Sequence, residues 1–155
     1  MPIQGGVTVE LGDLMFYDDV DDLRNDGDSI ASYAAFPISY FRPSTGPSGA
    51  SLTVNRSSVT SHFLGVALDD TDGITNGPTI NLSVATKGVF DFPLKPAGSI
   101  AAGDFFGASG STIGSDMYDQ YVRKVTDSKF ALGRFTETKT SALTAEVTLK
   151  RFLNK

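Results

Sequence analysis

The chain has 155 residues and a mass of 16.4 kDa, which fits one domain of ordinary size; 40% apolar and 20% charged residues suffice for a packed core. With no Cys and a single His, it excludes a disulfide framework, a thiolate nucleophile, Cys-ligated zinc, an iron–sulfur cluster and a His-rich metal site. A net charge of -5 and a pI near 4.7 argue against a surface that tracks nucleic-acid phosphates, and 16 Gly and 7 Pro bias the chain toward turns and short strands.

The opening MPIQGGVTVELGDLMF has no basic region followed by an apolar stretch, so no secretion signal or membrane anchor is expected. Residues 7–17 alternate loosely around Gly12-Asp13 and predict two short strands joined by a turn. Residues 18–29 carry six aspartates, with Val20 and Leu23 at helical spacing, and read as a helical turn or an acidic loop. The Ala-rich run from Ile30 to Arg42 predicts a short helix ended by Pro37, then an extended piece. Residues 43–61, rich in Pro, Gly, Ser and Thr, predict a long surface excursion. Strands are expected at 62–68, 79–86, 88–94, 104–109, 120–126, 129–137 and 142–153, separated by DDTDG, TNGP, KPAG and GSTIG. In the last of these, Leu143, Ala145, Val147 and Leu149 alternate with polar residues, so period two prevails over a helical period. The expected fold is all-β: a small β-barrel or β-sandwich in a single domain, 1–155. Within it we expect an N-terminal arm (1–10), a loop-rich excursion (18–61) and a β core (62–153).

A faint internal echo groups these strands. Gly12-Asp13-Leu14-Met15 resembles Gly103-Asp104-Phe105-Phe106, and Phe63-Leu64-Gly65 resembles Ala131-Leu132-Gly133, followed by Asp70-Thr71 and Glu137-Thr138 respectively. Val84 to Phe90 lines up with Val147 to Leu153. Two related β-motifs, the first carrying an insertion, would produce this order.

Chemistry is sparse. Asp18, Asp19, Asp21, Asp22, Asp26 and Asp28, or Asp70 and Asp72, offer hard oxygen ligands for calcium, but neither group has the spacing of a calcium loop, and solvated acidic loops or turns fit better. His62 lies near Ser61 and Asp69 without a nucleophile elbow, and reads as a packing or surface residue. Gly107, Gly110 and Gly114 lack the Lys-Ser or Lys-Thr of a phosphate cradle and read as a hairpin connection. No metal, cofactor or catalytic residue is nominated. Phe36, Tyr40 and Phe41, beside Arg42 in the excursion, have the composition of protein–protein anchors, with packing onto their own barrel as the alternative.

Phe63-Leu64-Gly65-Val66-Ala67-Leu68, an acidic turn to Gly73, the strand into Lys87-Gly88-Val89-Phe90-Asp91-Phe92-Pro93, then Ile100-Ala101-Ala102-Gly103-Asp104 together resemble the core of the capsid decoration, or cement, proteins of tailed bacteriophages. Leu132-Gly133-Arg134-Phe135 and Ala145-Glu146-Val147-Thr148-Leu149 are similar to that family's closing strands, so the resemblance spans roughly 62–150. It implies a structural protein, not an enzyme, made in the host cytoplasm. Such a protein binds the outer virion surface, often as a homotrimer, and bridges major capsid protein subunits without contacting nucleic acid or membrane. The excursion at 18–61 departs from the pattern. On this resemblance, Pro2, Ile3 and Val7 of the arm and Phe36, Tyr40, Phe41, Arg42 and Arg56 of the excursion are the expected partner contacts. The competing expectation is a β-sandwich module for carbohydrate or another ligand, with Tyr118 and Tyr121 as its aromatic pair.

Overall fold

The computed structural model describes residues 2–3, 7–18, 34–41, 51–72, 80–110 and 117–149. Strands β1 (Pro2–Ile3), β2 (Thr8–Val9), β3 (Leu14–Asp18) and β4 (Ala34–Pro37) precede a short helix, α1 (Leu52–Ser58). Then come β5 (Phe63–Ala67), β6 (Thr71–Asp72), β7 (Ile80–Asn81) and β8 (Val84–Ala85), followed by β9 (Val89–Ile100), β10 (Phe105–Gly110), β11 (Met117–Val125), β12 (Gly133–Phe135) and β13 (Lys139–Leu149). The last five close into a barrel in the order β10-β11-β9-β13-β12, and every pairing is antiparallel except Val122 opposite Leu94, where β11 meets β9 in parallel. Phe92, Ile100, Phe106, Val122, Phe135, Ala145 and Val147 are buried in this half. The first eight strands form a sheet in the order β4-β3-β5-β8 and the ladders β2-β6 and β1-β7. The chain is thus all-β with a small barrel, as its turn-rich composition and alternation predict.

The echo in the sequence is a repeat in the hydrogen bonding. Gly12 and Gly103 both adopt φ of +94°, a conformation open to Gly because it has no Cβ, and each opens the same turn. Asp13 Oδ2 accepts from the Glu10 N–H at 2.8 Å, and Asp104 Oδ2 accepts from the Ala101 N–H at 3.0 Å. The Gly12 N–H donates to the Ala67 carbonyl at 2.9 Å and the Gly103 N–H to the Phe135 carbonyl at 2.8 Å. Registers match as well: Leu14 faces Val66 as Phe105 faces Arg134, Phe16 faces Phe36 as Gly107 faces Arg123, and Ala67 faces Val84 as Phe135 faces Val147. Pro2 lies opposite Asn81 as Pro93 lies opposite Thr144. One detail of the echo moves by a residue. Asp69 accepts from the Ser83 N–H as Glu137 accepts from the Glu146 N–H, so Asp69, not Asp70, is the counterpart of Glu137.

This pairing redraws the internal boundaries. Within the expected arm, β1 and β2 are held in ladders, and Val7 and Val9 are buried. β5 to β8 pair with β1 to β4 rather than with the later strands, so the hydrogen bonding changes hands between β8 and β9, not at residue 62. The reason is burial: Val9, Leu14, Met15 and Phe16 are fully buried and need β5 and its neighbours as cover. Within the expected helix of 30–42, residues 34–37 are a strand, because Phe36 and Ala35 pair with Phe16 and Tyr17 in a sheet that outweighs alanine's helical preference. The excursion contains α1, which Ser51 caps by accepting from the Val54 N–H at 3.3 Å. KPAG, expected as a turn, is inside the long strand β9.

Candidate partner-binding surfaces

The two halves share one buried apolar cluster and also meet through polar contacts. Ser39, in a 3-10 turn after β4, donates its N–H and its hydroxyl to the two carboxylate oxygens of Asp119 on β11, at 2.7 and 2.8 Å. The Gln120 amide donates to Asp13 at 2.8 Å and to Glu10 at 3.2 Å. Thr60 donates to the Lys129 carbonyl at 3.2 Å, and the Arg56 guanidinium lies 5.6 Å from the Phe130 ring centroid. Burial raises the Asp119 pKa to about 6, against the Ser39 hydrogen bonds that favour its charged form.

Three of the eight expected partner contacts turn inward. Phe36 and Phe41 are buried, and both pack on Phe16, at ring-centroid distances of 5.7 and 5.1 Å. With Val7 they belong to the core, because a sheet that buries β3 leaves no free face for these side chains. Exposing them to a partner would mean opening this packed sheet. Tyr40 remains outside, 39% exposed, at the end of the 3-10 turn. Arg56 is committed to the junction between the halves, where burial and the nearby Arg123 charge lower its pKa. Pro2 and Ile3 are tied into β1, and Arg42 lies outside the described residues.

The remaining nominations resolve into structural roles where described. Asp70 accepts from the Leu11 N–H at 2.7 Å. Asp19, Asp21, Asp22, Asp26 and Asp28 fall outside the described residues, as does the Asp18 side chain, and no group of three metal-ligating side chains occurs among the described ones. His62 stacks near Phe41 at 5.8 Å and its Nδ1 lies 3.1 Å from the Ser61 hydroxyl. Gly107 is a strand residue where a Cβ would overlap the Phe130 carbonyl oxygen, which explains the glycine without a phosphate. A cavity of about 250 Å³ beside β12 is lined by Phe105, Ala131, Leu149 and Arg134. Its one charged group is engaged, since Arg134 lies over the Phe105 ring and donates to the Gly103 carbonyl at 2.7 Å.

The duplicated framework supplies an internal control for the surface. In the C-terminal barrel the turn carboxylates are neutralised: Asp104 pairs with Lys124 and Glu137 with Lys139, both at 2.7 Å. At the matched lysine positions the N-terminal half has Pro37 and Thr71, and Asp13 and Asp69 have no cationic partner among the described residues. Asp13 and Asp104 accordingly shift in opposite directions, burial raising the first and the Lys124 hydrogen bond lowering the second. Beside these acids, Leu11 and Leu68 are 60% and 47% exposed, where the other barrel has Ala102 and Thr136. The fold therefore does not require leucine there. Charge divides the same way: residues 1–86 hold 11 Asp and Glu against 3 Arg, whereas residues 87–155 hold 7 against 10 Lys and Arg. The Leu11–Leu68 surface was legible only by extending the echo outward from Gly12 and Gly65 to the exposed neighbours. Compared with known proteins, the chain matches no family model, no curated protein and no solved structure.

Proposed function

We propose that the chain is a capsid decoration protein, which binds the outer surface of an icosahedral phage head and stabilises it by bridging major capsid protein subunits. The observation that carries this reading is the pair of halves with matching hydrogen-bond frameworks and unlike composition, the N-terminal one acidic in sequence with Leu11 and Leu68 exposed, the C-terminal barrel basic in balance. A bridge needs two distinct contact faces held on a rigid body. The resemblance of residues 62–150 to cement proteins points the same way. The homotrimer that the resemblance implies is compatible with the charge division, since the acidic half of one copy would attract the basic barrel of the next in a head-to-tail contact. Bound only to the assembled shell, the protein raises shell stability by mass action and needs no reaction chemistry.

The test is co-sedimentation with expanded, DNA-free heads assembled from the major capsid protein of the same virus. Saturable binding, with a higher rupture temperature of the decorated heads, is expected. Leu11→Ser with Leu68→Ser should weaken binding by roughly tenfold or more while leaving the melting temperature of the free protein nearly unchanged. Heads that neither retain the protein nor gain stability would overturn the assignment. The carbohydrate-module alternative has Tyr118 and Tyr121 in edge contact at 5.7 Å. Lys95 lies over both rings, at 4.8 and 5.6 Å, and so occupies the faces on which a sugar would stack.

A further inference from the structure

We propose that the edge of β8 at Ser83–Ala85, unpaired among the described residues, accepts an extended segment of another protein chain, apolar at alternate positions, which extends the N-terminal sheet as Val89–Phe92 extends from β13 in the C-terminal barrel. In the C-terminal barrel β13 is paired on both sides. Its Val147 and Thr148 face Phe135 and Arg134 of β12 on one edge, and Phe90 and Val89 of β9 on the other. β8 is the counterpart of this piece of β13, because Val84 faces Ala67 where Val147 faces Phe135. On its far side the match breaks off. The ladder continues at Asn81 opposite Pro2, as Thr144 lies opposite Pro93, but no described residue is paired there with Ser83, Val84 or Ala85.

Hydrogen-bond alternation gives the direction of the open groups. The Leu68 N–H donates to the Ser83 carbonyl at 2.9 Å, so residues 83 and 85 turn their backbone groups toward β5 and Val84 turns its own away. The matched Thr136 N–H donates to the Glu146 carbonyl at 3.0 Å, and there the outward groups of Val147 meet Phe90. Side-chain burial records the same difference. Val147 is fully buried, whereas Val84 packs against the core and stays partly exposed. An unpaired edge of this kind is a template for strand addition.

The occupant's chemistry is read from the strand that fills the matched slot. Phe92 is buried and Phe90 packs on the core, while Asp91 between them is exposed, so the incoming strand carries apolar side chains two residues apart and runs antiparallel to β8. Asp69 and Asp70, exposed beside β8 and without cationic partners among the described residues, favour a Lys or Arg at its flank. The proposal stands apart from the shell-binding reading, and either can fail without the other.

A labelled peptide with the chain's own sequence Lys87–Leu94 is the natural probe, because it already fits this geometry. Added to the full-length protein, it should bind saturably by fluorescence anisotropy, and a peptide with both phenylalanines changed to serine should not. Val84→Pro removes the one outward N–H while leaving the bonds of residues 83 and 85 to β5, and should weaken peptide binding by roughly tenfold or more with circular dichroism unchanged. Ser83→Ala, facing the other way, should bind as wild type. Absence of saturable binding, or equal binding to Val84→Pro, would overturn the proposal. Self-association that Val84→Pro abolishes would overturn the assignment to a foreign chain and make a second copy the occupant.

Discussion

Asp119 sits where a carboxylate is costly to keep charged, buried at the junction with Ser39 as its hydrogen-bond donor and Asp13 and Glu10 as like-charged neighbours. Its folded-state pKa of about 6 is above the ordinary 3.8, so this group's contribution to stability is complete below about pH 4 and is lost as pH rises through about 6. Asp104, Asp127 and Glu137 act in the opposite sense: their lowered values stabilise above the ordinary carboxylate range and are lost on further acidification. The melting temperature is therefore expected to peak between about pH 4 and 6. Asp119→Asn, neutral throughout, should be more stable than wild type at pH 7.5, by at most about 3 kcal/mol, and indistinguishable from it near pH 4.5. A variant that loses stability at pH 7.5 would show that the charged form holds the junction. Leu143 illustrates what alternation alone misses at this scale. The sequence places it with Ala145, Val147 and Leu149, yet it is 73% exposed, because the β9–β13 register shifts between Ala142 and Thr144. A bulge reverses every side chain on one side of it and leaves no mark in the hydrophobic pattern. Leu143→Ser is expected to change stability by less than about 0.5 kcal/mol, whereas Val147→Ala should cost on the order of 2 kcal/mol, both measured by denaturant unfolding.

Among the elements, β5 depends on a residue that is absent rather than present. A Cβ on Gly65 would overlap the Ala85 carbonyl oxygen, so β8 lies against β5 only because position 65 has no side chain. Gly65→Ala should separate this pair and lower the melting temperature severely, while the C-terminal barrel keeps its own ladder. Strands of the second half were legible because β-branched and aromatic residues alternate between clear turn signals, as in β10 and β11. β4 was not, since four residues containing two alanines carry no alternation long enough to outweigh helical propensity. α1 was hidden for the reverse reason: LTVNRSS has no apolar face of helical period, and its start is set by the Ser51 cap. The aromatics of this region misled for a related reason. Phe36 and Phe41 have the composition of interface anchors, and only the pairing of β4 with β3 turns them inward. Phe36→Ala is accordingly expected to cost about 3–5 kcal/mol of folding stability, read from the unfolding midpoint, rather than to weaken a partner contact in an intact protein.

At the level of the whole molecule, duplication decides which parts can stand alone. The C-terminal barrel is closed by its own five strands, and its buried residues from Phe92 to Leu149 lie within them and their connections. Its described ties to the other half are hydrogen bonds from Ser39, Thr60 and Gln120, the ring contact of Arg56, and a buried apolar cluster that runs without a break through residues of both halves. Each such bond contributes only about 1 kcal/mol net, and the Asp119 carboxylate is itself unfavourably buried, so the shared apolar packing, more than the hydrogen bonds, supports the N-terminal half against the barrel. The N-terminal half differs, because among the described residues β8 has one strand partner where its counterpart has two, and Val84 is left partly uncovered. Deleting residues 1–10 removes the buried Val7 and Val9 and should destabilise this half instead of trimming a free arm. A fragment of residues 87–155 should fold alone, with a strand-type circular dichroism spectrum and a cooperative melt; a fragment of residues 1–86 should not, unless a strand is supplied to its open edge. If the 87–155 fragment is unfolded in water, the apolar packing shared with the N-terminal half carries more of the stability than closure of the barrel does, and the two halves form one cooperative unit.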